Sequence, residues 1–326
     1  MPRLAFQTSA VAWSAVHPAV TAALAVALLA TAGCRDTRQV AGPAPTVADL
    51  EPPPPMEASG PTPAPEAAPP TLPPAPTPTV AAGPGPAAPA EAAALGAELA
   101  RVEAALRNPA TAATELPALG LAQQVGYRQL AANPGWRPDA LRAVPPALHA
   151  AVVANTDAQG LLASLHKRRP TTLPAWRIVA PPPPATVLAA HQAAGKEIGV
   201  AWEVLAAIHL VETRMGRIRG TSTAGAKGPM QFLPATWGQY GAGGDIEDLA
   251  AASKAAARLL KRNGIDRDPR AAVWNYNHSY AYVDAVLAYA ATMQADPRAL
   301  LGYHGWQVFY AHADGDLLLP EGWTKP

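Results

Sequence analysis

From about residue 91 onward the chain predicts an all-α fold, and three observations carry the expectation. Apolar residues recur at spacings of three and four through most of that stretch. No sustained period-two alternation marks a half-buried strand, and no internal repeat is present. Helix punctuation, with proline or a short polar residue at the starts and glycine after the ends, falls between the periodic runs.

The elements follow in order. Helix formation is expected to resume near Glu91, where EAAALGAELARVEAALRN combines strong helix formers with leucines at helical spacing. Further helical patterns cover about 118–133 and 146–167, separated by breakers such as ANPGWRP. PPPP at 181–184 marks a boundary, so 91–184 reads as a helical extension and 185–326 as the main domain. Val187, Ala190, Ala194 and Ile198 fit one face of the next helix, with Gly199 as its stop. A helix over about 201–213 puts Leu205, Ile208, His209 and Glu212 on one side. GPMQFLPATWGQYG reads as a loop and a short helix opening at Pro234, a favoured first-turn residue. DIEDLAAASKAAARLLKRNG has acids at its start, bases at its end and Gly264 after it, which suits the helix dipole. RAAVWNYNHSYAYVDAVLAYAATM reads as two helices meeting near Asn277 and Ser279, the latter an N-cap. The C-terminal GYHGWQVFYAHADGDLLLPEGW is expected to pack back through Trp306, Phe309 and Tyr310.

The N-terminal part is of another kind. Arg3 and the apolar run AVTAALAVALLATAGC (19–34) have the length of an export signal and are short for a membrane span. Thr31, Ala32 and Gly33 before Cys34 resemble a lipoprotein signal, in which cleavage exposes the cysteine for lipidation. That pattern prefers leucine where Thr31 stands. A plain secretory signal or an uncleaved anchor, with Cys34 incidental, is the competing reading. Residues 35–90 are rich in proline and alanine, cannot bury a core and read as a disordered linker. The proline-dense part, 43–89, would span on the order of 140 Å if fully extended. Cys34 is the only cysteine, so an intrachain disulfide and a cysteine metal cluster are both excluded. Lys+Arg of 25 against Asp+Glu of 24 leaves a formal charge of +1, without the basic footprint that nucleic acid requires.

Glu212 is the residue that asks for an explanation. It stands at i+7 and i+4 from Leu205 and Ile208, at the end of an apolar helix that breaks into glycine and arginine. Partial burial disfavours the ionised carboxylate, and a carboxyl kept protonated near neutrality can serve as a general acid. A surface glutamate paired with Arg214, Arg217 or Arg219 is the plainer alternative. Seven of the eight tyrosines lie beyond residue 200, which fits an aromatic cleft or an aromatic core.

VETRMGRIRG, STAGAKGPMQFLPATW and WNYNHSYAYVDAVLAYA, in that order, resemble the lytic transglycosylases of peptidoglycan. The resemblance is greatest to relatives of membrane-bound lytic murein transglycosylase B and runs from about residue 185 to the C-terminus. It implies a lysozyme-like domain with Glu212 as the catalytic acid and base. Ser222 and Gln231 would line the cleft, and Tyr276 and Asn277 would match a tyrosine–asparagine pair beside the catalytic carboxylate. Tyr280 is a further candidate for substrate contact; for it and for Tyr282, core packing competes with a cleft role. The best-known member carries a calcium loop where this chain has only GAGGD before Ile246, so no metal and no cofactor are expected. His209, His278 and His304 lack zinc-ligand spacing, and His209 reads as a satisfied helix histidine.

The implied reaction cleaves the MurNAc–GlcNAc bond without water and leaves 1,6-anhydro-MurNAc. No second carboxylate stands out: Asp245, Glu247 and Asp248 look like helix-start residues. A muramidase that hydrolyses the same bond, with Asp245 or Asp248 serving a water, is the alternative enzyme. A catalytically dead peptidoglycan-binding lipoprotein is the alternative of another class. The expected partners are glycan strands and, through a lipid anchor, the outer side of a bacterial membrane; no nucleic acid is expected, and no protein partner can be named.

Overall fold

The computed structural model describes residues 80–325. The export signal, Cys34 and most of the proline-rich segment lie outside the described residues.

Four helices come first: α1 (Ala92–Arg107), α2 (Leu116–Ala132), α3 (Arg137–Arg142) and α4 (His149–Ser164). The short α3 falls within the stretch that sequence marked as a breaker. One 3-10 turn at Pro134–Trp136 leads directly into it, and Pro138 sits in its first turn, where a missing N–H does no harm. A two-residue strand, β1 (Arg177–Ile178), precedes α5 (Pro184–Ile198), which opens on its proline and stops at Gly199, φ 77°. Then come α6 (Trp202–Thr213), β2 (Ile218–Arg219), α7 (Pro234–Tyr240), α8 (Leu249–Arg262), α9 (Pro269–Trp274), α10 (Tyr280–Ala295) and α11 (Ala299–Gly305). The Ser279 cap foreseen from sequence is made, and Asp248, read as a helix-start acid, turns out to be a cap as well. Asp248 accepts from the Ala251 N–H at 2.7 Å, and Ser279 accepts from the Tyr282 N–H at 3.4 Å.

The described residues are mostly helical, with two departures. Val308–His312 (β3) and Gly315–Leu319 (β4) form an antiparallel hairpin that turns through Ala313 and Asp314, with Gly315 at φ 123°. The hairpin also corrects the linker boundary. Gly83 exchanges two backbone hydrogen bonds with Leu318 at 3.2 and 2.8 Å, so the chain is already paired well before Glu91.

One hydrophobic core runs through both sequence segments. Leu95, Tyr127 and Val152 of the first helices share it with Leu205, Ile208, Val283 and Tyr289. α10 packs against α4 and α6, and α11 against α2, so the prolines at 181–184 form a connection into α5 with continuous core beneath it. α6 sits against α5 and α10, and every residue from Val204 to Leu210 is buried. Each such aliphatic side chain contributes on the order of 1.5–3 kcal/mol. The one-sided helix drawn from the sequence is therefore a helix enclosed on all sides.

A chain of polar groups pins α6 to its neighbours. The Ser253 hydroxyl donates to Leu249 O at 2.7 Å and lies 3.1 Å from His191 Nδ1. His191 Nδ1 must then donate to it, leaving its Nε2 to accept from His209 Nδ1 at 3.1 Å. His209 is thus satisfied on one nitrogen only, because its buried Nε2 has no partner. Burial keeps both rings neutral and pushes His191 down to about 3.

Candidate active site

Glu212 occupies the last turn of α6, and the chain reverses immediately after it. Arg214, Met215 and Gly216 follow with φ of 53°, 58° and 84°, three left-handed residues of which only the last is glycine. Two non-glycine residues held this way cost on the order of 1–3 kcal/mol each and persist only when their surroundings fix them. The surroundings do so. Met215 is fully buried. Thr213 Oγ1 accepts from the Gly216 N–H at 3.1 Å and donates to Pro229 O at 2.7 Å. The following strand β2 pairs with β1, placing Ile218 opposite Ile178. The reversal aims the end of α6 at a loop instead of letting the helix run on.

That loop, 222–232, is closed upon itself. The Ser222 Oγ accepts from the Ala226 N–H at 3.0 Å, and Lys227 and Phe232 exchange backbone bonds at 2.9 Å each. Gln231 takes φ 50° and its side-chain amide donates to Gly228 O at 3.0 Å. Gly228, at φ 75°, allows the loop to lie on Ile246: a Cβ there would stand 2.0 Å from Ile246 O. The Tyr276 hydroxyl donates to Met230 O at 2.6 Å, and Phe232 stacks edge-on with both Trp237 and Tyr276. The three sequence motifs therefore meet: Thr213 binds the loop from α6, and Tyr276 binds it from the connection between α9 and α10.

The tyrosine that reaches the carboxyl is Tyr282. Its hydroxyl donates to Glu212 Oε1 at 2.6 Å. Tyr276, the sequence candidate for the place beside the carboxylate, donates its hydrogen bond to Met230 O instead; burial, and after it the nearby Glu212 charge, holds its phenol well above the usual range. Tyr280 lies elsewhere. It is 62% exposed, its ring 6.5 Å from that of Trp274, with the Arg270 guanidinium 5.7 Å from its centre. Asn277 is exposed and its side chain makes no hydrogen bond among the described residues. Ser222 and Gln231 bond to their own loop rather than to Glu212. The burial pattern of α10 could have found Tyr282. Tyr282, Val283, Val286, Tyr289, Ala290 and Met293 share one helical face, and Tyr280 does not belong to it.

The carboxyl is set up as an acid. Burial raises Glu212 to about 7, against opposing pulls from the Tyr282 hydrogen bond and the Arg214 charge. None of the arginines foreseen as partners forms an ion pair with it. Arg217 reaches Glu321 at 3.6 Å, Arg219 reaches Glu247 at 3.7 Å, and Arg214 turns back to donate to Leu210 O at 2.8 Å. Tyr282 fixes Oε1, whereas Oε2 has no partner among the described residues and is not buried by them. Such a group can deliver a proton from Oε2 and recover one while Oε1 holds its orientation. Asp248 caps α8, and Asp245 accepts from the Glu247 N–H at 2.9 Å, so both acids serve local backbone. Among the described residues no three of His, Cys, Asp and Glu gather as metal ligands.

Compared with protein-family models, with curated proteins and with solved structures, the chain matches none.

Proposed function

We propose that this protein is a peptidoglycan lytic transglycosylase with a lysozyme-like catalytic domain. The observation that carries the reading is Glu212: a carboxyl raised to about 7, fixed through one oxygen by Tyr282, with the other oxygen open. Around it stand the three motifs by which the sequence resembles that family. Glu212 protonates the oxygen between MurNAc and GlcNAc as the bond to the MurNAc anomeric carbon breaks. The carboxylate so formed takes the proton of that sugar's C6 hydroxyl, whose oxygen bonds to the anomeric carbon and closes the 1,6-anhydro ring. One residue serves as acid and then as base, and its proton is restored. Attack within one sugar has a high effective molarity, so no second carboxylate is needed to hold a water. The local duties of Asp245 and Asp248 favour this over hydrolysis. Ser222, Gln231 and Asn277 are candidates for sugar contact, with the exposed Tyr280 ring, 6.5 Å from the half-buried Trp274, as a further one.

Export and lipidation of Cys34 would hold the domain on the outer side of a bacterial membrane, with the proline-rich segment as a spacer toward the wall. Mass spectrometry of purified peptidoglycan after digestion tests the function. Anhydro-MurNAc ends are expected; reducing ends would mean a muramidase, and intact strands a binding protein.

A further inference from the structure

A cavity of about 260 Å³ has Arg214 in its wall but not Glu212. α2, α4, the segment after α4 and the hairpin supply the rest, through Arg128, Gln159, His166, Arg169, Phe309 and Asp316. Its polar lining is almost wholly donor. Asp316, the only acid, already accepts from Arg128 and from Arg169, the latter at 2.8 Å. Arg214 forms no ion pair among the described residues, and its one bond is to Leu210 O. Gln159 is 5% exposed; its amide nitrogen lies close to the Tyr289 hydroxyl, but neither group completes a well-formed hydrogen bond among the described residues. An enclosed cation and an orphaned amide donor each carry a desolvation penalty that an acceptor-rich guest relieves.

We propose that this cavity is a binding site for a small organic carboxylate, with Arg214 as its ion-pair partner and the Gln159 amide as a second donor. A planar carboxylate matches the guanidinium fork. The aliphatic lining from Ala131, Leu162 and Ala163 and the Phe309 ring suit a short apolar body behind it. The volume lies below the roughly 300–1,000 Å³ of sites for drug-sized ligands, which points to a guest no larger than a dipeptide end. A compact dianion such as hydrogen phosphate fits less well, because Asp316 would face it. The site stands on its own donors and does not rest on the glycan-cleaving reading.

Calorimetric titration of the full chain with N-acetyl-alanyl-alanine, its carboxamide and inorganic phosphate tests it, in the absence of any glycan. The acid should bind at least tenfold tighter than the carboxamide and tenfold tighter than phosphate. Ala163→Trp, which fills the cavity from an exposed position, and Gln159→Leu should each weaken the acid at least tenfold; Glu212→Gln should not. Arg214→Gln should abolish binding. Should that variant fail to fold, the first two decide. Equal affinity for acid and carboxamide, displacement by phosphate at equal concentration, or unchanged binding in Ala163→Trp would each overturn the proposal. A glycan-linked peptide compared with the free one then separates the two sources of the carboxylate, since the tighter ligand names the source and either order supports the site.

Discussion

Glu103 and Glu212 are both carboxylates taken into the protein, and each accepts a hydrogen bond from a tyrosine hydroxyl. Their remaining partners differ. Glu103, 1% exposed, also accepts from the Gln123 amide at 2.7 Å and pairs with Arg107, while Gln123 in turn accepts from the Trp306 indole at 2.9 Å. Its network ties α1, α2 and the end of α11 together and leaves the carboxylate with a cation and no open oxygen. Glu212 has Tyr282 on one oxygen and, among the described residues, nothing on the other. Burial alone thus does not make a reactive acid. Full satisfaction turns a buried glutamate into structure, and deliberate under-satisfaction beside solvent leaves one able to exchange its proton.

The same substitution at the two positions should separate these roles. Glu212→Gln keeps the shape and the Tyr282 contact but cannot donate and recover a proton. General acid–base catalysis contributes on the order of 10²–10⁴-fold. If one residue serves both steps, as proposed, turnover on peptidoglycan should fall by at least about a thousandfold, with the circular-dichroism spectrum unchanged. Near wild-type clearing by this variant would show that Glu212 is not the acid.

Glu103→Gln should do the reverse. The new amide turns a donor toward the Tyr127, Gln123 or Arg107 donors and strands the Arg107 charge, whose other acidic partner among the described residues is Asp296 at 3.2 Å. Breaking a buried pair in this way costs about 3–5 kcal/mol. Denaturant titration should show that loss, while activity per folded molecule stays within a few-fold of wild type. Equal stability of variant and wild type would remove the contrast between the two sites.

Much of this was legible in the sequence, for reasons that differ by element. α8 announces itself because start, periodicity and stop agree in Asp248, the alanine–leucine stripe and Gly264, while α5 has its opening proline and Gly199 and α10 its Ser279 cap. The hairpin was hidden because its strands are five residues each and the second carries three consecutive leucines, which obscures alternation. The Asp314–Gly315 pair between two apolar runs was the available signal. Glu212 was legible as an acid at a helix end. What positions it was not, since α6 is apolar on every side and the left-handed Arg214 and Met215 follow from tertiary packing. Tyr282 was passed over because motif order pointed to Tyr276, whereas the hydrogen bond depends on which face of α10 meets α6.

A smaller effect sharpens the comparison through pH. Glu212 rises from an ordinary 4.5 to about 7, so the folded state holds this proton more tightly than the unfolded chain does. Stability from this group is complete below about 4.5 and is lost as pH rises through 7. A shift of that size corresponds to up to about 3 kcal/mol. Glu212→Gln does not titrate. It should therefore melt with the wild type near pH 5 and above it at pH 8, by roughly 1–3 kcal/mol on the same linkage. A stability difference that does not change between these two pH values would mean that the carboxyl is not held protonated by burial.

Tyr282→Phe probes the single bond that makes Glu212 different from a merely buried acid. The phenol donates to Oε1 and so favours the ionised carboxylate; its loss should push Glu212 further above 7. The high-pH limb of kcat/KM, where the acid loses its proton, should accordingly move to higher pH. Orientation is lost as well, and one hydrogen bond to an ionisable group is worth about 1.5 kcal/mol at the lower end. The rate at the optimum should therefore fall about tenfold, far less than for Glu212→Gln. Phenylalanine keeps the ring in the core face of α10, so unfolding should change little. Tyr280→Phe, an exposed position on the same helix, should leave the limb where it is. If instead the limb stays fixed in Tyr282→Phe and shifts in Tyr276→Phe, then the phenol that governs the catalytic proton is the one now bonded to Met230, and the site rearranges when substrate binds.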